Sequence, residues 1–195
     1  MNLCQNKQNL RSSTVKKRKS LKNQQLIEMS EEIKNSIFRM NEFKNASKIL
    51  FYVSYDNEVN THEMIKECLS SKKTVIVPKT YVEKKELILS ELSEWNHLEI
   101  GAYNILEPKN EYIKEVSIES IDLFIIPGVA FDLNGNRIGH GKGYYDKLLR
   151  KKQNAPFIAL AFEIQIVENI PAEIHDIKMD KIVTEKRIIN CKGIR

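Results

Sequence analysis

At 195 residues, 42% hydrophobic and 29% charged, the chain has the size and composition of one globular domain with a full core, and hardly of two. Nowhere do eighteen apolar residues run together, which excludes a membrane-spanning helix. The formal net charge is +5, with much of the excess in the first twenty-two residues, but no aromatic residue interleaves the run Lys16-Lys17-Arg18-Lys19 and no recognised nucleic-acid module follows it.

That basic run reads either as a solvated helix face or as an attractor for a small polyanion. The N-terminus has neither the apolar run nor the small-residue cleavage site of a secretory signal, so a cytoplasmic protein is expected. Cys4, Cys68 and Cys191 are odd in number and far apart, and the four histidines are scattered. Reduced thiols are expected, and a His/Cys metal site is not.

From the N-terminus, a helix is predicted over most of Lys7 to Leu21. Its Lys7, Arg11 and Arg18 are spaced by four and seven and share a face. The residues alone leave open a frayed basic tail. A second helix is predicted from Gln24 to Phe43, where Leu26, Met29, Ile33, Ile37 and Met40 recur every three or four positions as a core stripe. Ser47 to Ser54 predicts the first strand, rich in β-branched and aromatic residues. In the following Tyr55–Thr61 turn, Asn60 or Thr61 is placed to cap the next helix, with Glu63 as capping-box partner. Glu58 stands at the carboxyl end of that strand, where open α/β sheets gather ligand groups, although a solvated loop carboxylate is the plainer reading.

Thr74 to Val77, closed by Pro78-Lys79, predicts a second strand, and Glu86 to Leu92 a strand of a peripheral hairpin. Trp95 reads as partial surface packing, and the Gly101–Pro108 loop carries Tyr103. Asn110 to Ser120 is a polar connector. Ile121 to Ile126 is near-continuously apolar, as a parallel strand buried on both faces would be. Further on, Pro156 to Phe162 predicts a buried strand, Glu163 to Ile170 a short helix, Pro171 to Asp176 a loop and Lys181 to Thr184 a final strand. The fold class expected is a single α/β domain over residues 1–195, a three-layer α/β/α sandwich with a mainly parallel sheet and an N-terminal helix.

Between the central strand and the next helix lies Pro127-Gly-Val-Ala-Phe-Asp-Leu-Asn-Gly-Asn-Arg-Ile-Gly-His-Gly-Lys-Gly-Tyr-Tyr-Asp146. Turns fall at Pro127-Gly128 and Asn134-Gly135. Gly139, Gly141 and Gly143 then alternate before Tyr-Tyr-Asp-Lys-Leu-Leu-Arg, a helix start. Strand, glycine loop and helix N-terminus is the order in which backbone N–H groups surround a phosphate. Lys142 adds a mobile positive charge, and Asp146 in the first helical turn could hold a metal that accompanies phosphates. The spacing is neither GxxxxGK[ST] nor GxGxxG, so as a generic signal it leaves a phosphate loop and a flexible turn both open.

As a string, PGVAFDLNGNRIGHGKGYYDKLL resembles the signature of the 5-formyltetrahydrofolate cyclo-ligases, PG-x-AFD-x-x-G-x-R-[LI]-G-x-G-x-GYYD, at every fixed position. Lys7-Gln-Asn-Leu10-Arg11, followed by Arg18 and Leu21, is similar to that family's K-x-x-L-R segment, whose lysine and arginine contact the ATP phosphates. Glu58-Val59-Asn60-Thr61 fits its E-[VI]-x-T element, whose glutamate binds folate, with Asn60 where an acidic residue often stands. The segment ending Glu107-Pro108 is similar to one whose aromatic residue, here Tyr103, can stack on the pterin. Asp176 to Thr184 fits D-x-x-x-D-x-[IV]-[IV]-T.

The resemblance implies conversion of ATP and 5-formyltetrahydrofolate to 5,10-methenyltetrahydrofolate, ADP and phosphate, with Mg²⁺ as cofactor. It implies an ATP site of Lys7, Arg11, Arg137, Gly139, His140, Gly141, Lys142, Gly143, Tyr144 and Tyr145. Val53, Glu58 and Tyr103 would form the folate side with Gly141, Lys142, Gly143, Tyr144 and Tyr145. Asp146 and Asp176, far apart in sequence, would hold Mg²⁺, with Asp180 the alternative to Asp176. Lys142, Arg137 and Tyr145 are the catalytic assignments. His140 is not taken as a base, because its slot varies in the pattern and the reaction needs no strong base. A monomer acting on small molecules is expected, with no nucleic-acid or membrane partner. The competing readings are a sugar-phosphate or CoA-handling enzyme of similar fold, a nucleic-acid module, and a folate-binding protein without turnover.

Overall fold

The computed structural model describes residues 3–151, 154–173 and 176–191. His175, in the run singled out around Asp176, lies outside them. Its centre is a seven-stranded sheet in the order β11-β10-β9-β6-β1-β2-β3. The strands are β1 (Lys48–Leu50), β2 (Thr74–Tyr81), β3 (Glu86–Leu92), β6 (Leu123–Ile126), β9 (Phe157–Leu160), β10 (Lys181–Val183) and β11 (Ile188–Asn190). The five inner strands run parallel, with Ile49 beside both Val75 and Leu123, Phe124 beside Phe157, and Ile182 beside Ala159. β3 and β11 are antiparallel edges. Two small hairpins lie outside the sheet: β4 (Leu98–Ile100) with β5 (Leu106–Pro108), and β7 (Ala130–Phe131) with β8 (Arg137–Ile138).

The period of two along each inner strand builds the three layers. Ile49, Val75, Leu123, Ile125, Ile158 and Leu160 face one core, which is closed by Ile33 and Ile37 of α2 (Asn23–Arg39), Phe43 of α3 (Asn41–Asn45), and Met64, Ile65 and Cys68 of α4 (His62–Leu69). Leu50, Ile76, Phe124, Ile126, Phe157 and Ala159 face the other, closed by Leu148 and Leu149 of α5 (Tyr144–Leu149). The amphipathic stripe of α2 therefore packs as its 3.6-residue spacing predicts. α1 (Leu3–Lys19) sits apart from both cores, with Leu10 and Val15 against Val129, Ala130, Ile138 and Ile170.

Several boundaries differ from the sequence-based expectation. The helix predicted over Gln24–Phe43 breaks at Met40, which is extended (φ −69°, ψ 144°) and buried. Only Lys48–Leu50 of the strand expected over Ser47–Ser54 pairs on both sides. Past Phe51 the backbone turns away, and Ser54 and Thr61 exchange side-chain-to-amide bonds of 3.0 and 3.1 Å. Thr61 is occupied there and Glu63 pairs with Lys66, so no capping box forms; Asn60 Oδ1 accepts from His62 N–H at 2.8 Å instead. Glu163–Ile170 is not a helix beyond one 3₁₀ turn at Glu163–Gln165. The buried Gln165 amide donates to Gly128 and Val129 carbonyls, and Ile170 N–H is taken by Asp132, which holds this stretch open. Lys181–Thr184 is not the last strand: Thr184 turns the chain and β11 returns antiparallel. Among the described residues, no helix is long and apolar enough to cross a membrane.

Candidate active site

The chain builds β1, β2 and β3 in one direction, then crosses over and adds β6, β9 and β10 on the other side of β1. At such a reversal the segments leaving the carboxyl ends of adjacent strands splay apart and leave a crevice. A cavity of about 390 Å³ opens there, bounded by Val53 and Glu58 after β1, Pro78 and Thr80 in β2, and Pro127 after β6. Every residue assigned above to the ATP, folate and Mg²⁺ sites lines it, from Lys7 to Asp176, except the alternative ligand Asp180. Its size suits a drug-sized ligand.

α1 lays its basic face over the rim. Lys7 Nζ lies 2.7 Å from Asp176 Oδ2 and 3.4 Å from Glu173 Oε2. Burial works to lower the Lys7 pKa, but the hydrogen bond and charge of Asp176, aided by Glu173, outweigh it and raise it. Arg11 Nε donates to Gly139 O at 2.9 Å, clamping the glycine loop. Arg18, on the same face, does something else: it is buried, and its Nε donates to Asn57 Oδ1 at 2.9 Å, tying α1 to the turn that presents Glu58.

β8, which leads into the loop, supplies Arg137, whose side chain is only 4% exposed. Its Nη2 is 2.6 Å from Asp146 Oδ1, Nη1 donates to Pro127 O at 3.3 Å, and its guanidinium stands 5.9 Å from the Tyr145 ring centre. Arg137 Nε is buried with no hydrogen-bond partner among the described residues. Gly143 enters α5 at φ 74° and Gly141 sits at φ 87°, both in the left-handed region. With α5 only six residues long, its N-terminus by itself makes no anion site, and the cations that line the cavity beside the loop are Lys7, Arg11, Arg137 and Lys142. Gly141→Ala would force an L-residue into that region; a stability loss of about 1–2 kcal/mol is expected, read as a lowered melting temperature, and an unchanged melt would show that the loop readjusts freely.

On the opposite wall, the buried Glu58 carboxylate faces His140 Nε2 at 3.2 Å and accepts from Tyr55 N–H at 3.3 Å. Burial, and then Glu58's charge, push the Tyr145 phenol far above its ordinary pKa, so it remains a donor. At the mouth, the half-exposed Tyr103 places its hydroxyl 3.2 Å from that of Tyr144, whose pKa this contact pushes up to about 12. Lys142 Nζ lies 5.5 Å from the Tyr103 ring centre, a cation–π distance.

Asp146 in α5 and Asp176 in the loop before β10 face this one cavity, each beside a cation. Asp180 turns elsewhere: its Oδ2 accepts from Phe157 N–H at 2.6 Å within the sheet. Among the described residues no group of three or more carboxylate, histidine or cysteine side chains stands ready for a metal. Two hard oxygen donors fit Mg²⁺ if a ligand's own oxygens complete its shell, which is its habit with nucleotides. Sequence reasoning missed the apolar and polar walls given by Thr80, Leu87, Ile105, Leu106 and Glu107. Their alternation reads as sheet core, and only the position of the hairpins turns them towards a cavity.

The chain is similar to known proteins over nearly its whole length. The sequence pattern described as the 5-formyltetrahydrofolate cyclo-ligase family matches residues 4–185. A 5-formyltetrahydrofolate cyclo-ligase of Haemophilus influenzae is 31% identical, covering 92% of this chain and 97% of that protein. The mouse 5-formyltetrahydrofolate cyclo-ligase is 28% identical, covering 92% and 93%. The solution structure of 5,10-methenyltetrahydrofolate synthetase from Aquifex aeolicus superposes with a TM-score of 0.84 at 34% identity, over 97% of this chain and 94% of that one.

Proposed function

This chain belongs to the 5-formyltetrahydrofolate cyclo-ligase family, a family of ligases, and on that premise we propose that it uses ATP and Mg²⁺ to convert 5-formyltetrahydrofolate to 5,10-methenyltetrahydrofolate. The observation that carries the reading is convergence. Lys7, Arg11 and Arg137 come from two distant segments to one rim, while Glu58 and Tyr103 line the same cavity from two others.

In this reading the formyl oxygen attacks the γ-phosphorus of ATP and ADP leaves. N10 then adds to the formyl carbon, its proton departs to water, and the C–O bond to phosphate breaks. The protein needs little covalent chemistry for this; it aligns two substrates and steadies charge. Lys7 and Arg11 hold phosphate oxygens, and the amides of Gly139, Gly141 and Gly143 surround them with His140 on the loop between. Arg137 and Lys142 face the transferring group. Tyr144 and Tyr145 separate the two substrates, Tyr145 as a fixed donor. Val53 and Glu58 receive the pterin, and Tyr103 covers it. Asp146 and Asp176 would hold Mg²⁺, which when bound offsets phosphoryl charge. All these groups come from one chain, so a monomer suffices.

The test is growth of the methenyltetrahydrofolate absorption band from 5-formyltetrahydrofolate and Mg²⁺, with and without ATP. ATP-dependent growth is the expected result. No growth in a folded protein that binds both ligands would leave folate binding without catalysis. Lys7→Ala is expected to raise the KM for ATP about tenfold with little change for the folate. An unchanged ATP KM would remove α1 from the nucleotide site.

A further inference from the structure

We infer that Glu107 is a positioning residue: it holds the 101–104 turn so that Tyr103 closes over the folate side of the cavity. The inference deepens the function proposed above and, for its kinetic part, rests on it. Glu107 lies in β5, is 4% exposed, and lines the cavity. Its two carboxylate oxygens do different things. Oε1 accepts from Thr80 N–H of β2 at 3.1 Å, and Oε2 accepts from Ala102 N–H at 3.4 Å. The carboxylate thereby bridges the central sheet and the turn before it.

Two further observations show that the turn is built around this group. A side chain at Gly101 would collide with the Glu107 carboxylate, so the closeness of backbone to carboxylate depends on that glycine. Next, Tyr103 and Asn104 both hold left-handed backbone, at φ 58° and 59°; asparagine adopts it readily, but a bulky tyrosine rarely keeps it unless its surroundings impose it. Short bonds from Gly101 N–H to Ile105 O, 2.8 Å, and from Lys79 Nζ to Pro108 O fasten the flanks of the hairpin. Within the turn, Ile105 N–H bonds to Ala102 O, and Ala102 N–H in turn bonds to Glu107. The strained turn delivers one side chain to the cavity mouth, Tyr103, where it meets Tyr144 and Lys142 of the glycine loop. Glu107 thus acts on the substrate site through Tyr103 rather than by contact with the reacting atoms.

Glu107→Gln tests this with shape retained. The amide oxygen can still accept from Thr80, but its NH₂ then faces the Ala102 N–H, donor against donor. Two measurements are made on the full chain. Hydrogen exchange of the amides at 102–105 is expected to quicken about tenfold while the inner strands stay protected. The KM for 5-formyltetrahydrofolate is expected to rise about tenfold, with the ATP KM and kcat within about twofold. In a Tyr103→Ala background the same change is expected to add nothing to the folate KM, because both act through one ring. Unchanged exchange in the turn overturns the inference, as does a KM effect that persists fully without Tyr103. Exchange that quickens throughout the sheet marks a purely structural role and also overturns it. If the wild-type chain binds both ligands but forms no methenyl product, the functional reading fails, and the exchange result alone decides whether Glu107 holds the turn.

Discussion

An Asp146→Asn variant is expected to remain folded and to lose at least about a hundredfold of ATP-dependent turnover. Asparagine keeps an oxygen for Arg137 Nη2, now 2.6 Å from Asp146 Oδ1, so the geometry of the loop is preserved. What disappears is the negative charge, and that matters twice. It is the charge assigned to Mg²⁺, and it is the counter-ion of a guanidinium whose side chain is 4% exposed and cannot shed its proton. A buried cation left with a neutral acceptor costs stability; about 1–3 kcal/mol is expected, towards the lower end because Asp146 itself is 31% exposed. Asp146→Ala would add the loss of the hydrogen bond and confuse unfolding with lost chemistry, which is why the amide is the sharper change. Turnover as a function of Mg²⁺, alongside a thermal melt, checks both parts. Turnover retained at ordinary Mg²⁺ would remove Asp146 from the metal role.

Glu58→Gln is expected to weaken 5-formyltetrahydrofolate binding by about 10- to 100-fold, the worth of a charged hydrogen bond, and to leave ATP binding within about twofold. Glu58 is buried, and Tyr55 N–H and His140 hold its two oxygens from the protein side. A neutral amide can accept one of those bonds but no longer draws the ring N–H donors of a pterin with full charge. Calorimetric titration of each ligand separately reads the two affinities. A larger loss for ATP than for the folate would move Glu58 to the nucleotide side of the cavity.

The inner strands were legible because burial on both faces leaves no polar position: Leu123–Ile126 and Phe157–Leu160 are wholly buried and wholly apolar. The α2 stripe was legible for the corresponding helical reason. The break at Met40 was not, since methionine continues the apolar spacing and only its packing decides that it leaves the helix. β11 escaped because Ile188–Asn190 is three residues long with one buried side chain, and its pairing with β10 depends on the Thr184 turn. Glu163–Ile170 has helical spacing, yet Gln165 finds better bonds at the Gly128 and Val129 carbonyls that lead into β7. Tertiary partners outweigh propensity in each case.

For the site, the one-dimensional string showed the glycine loop as a local pattern with a chemical meaning, whereas the basic positions of α1 and the isolated Glu58 read as site residues only through the family resemblance. It held no trace that Lys7 would stand beside Asp176, Arg18 beside Asn57, or Glu107 beneath Gly101, contacts between segments 169, 39 and 6 residues apart. Sequence by itself determined the family, the layered α/β architecture and which side chains have the chemistry to act. Only the tertiary structure showed the cavity that these side chains line, which carboxylate of the Asp176–Asp180 pair faces it, and what holds Tyr103 at its mouth. The physical reason is that propensity and periodicity act over a few residues, whereas a binding site is made where a sheet reverses its order and distant loops meet.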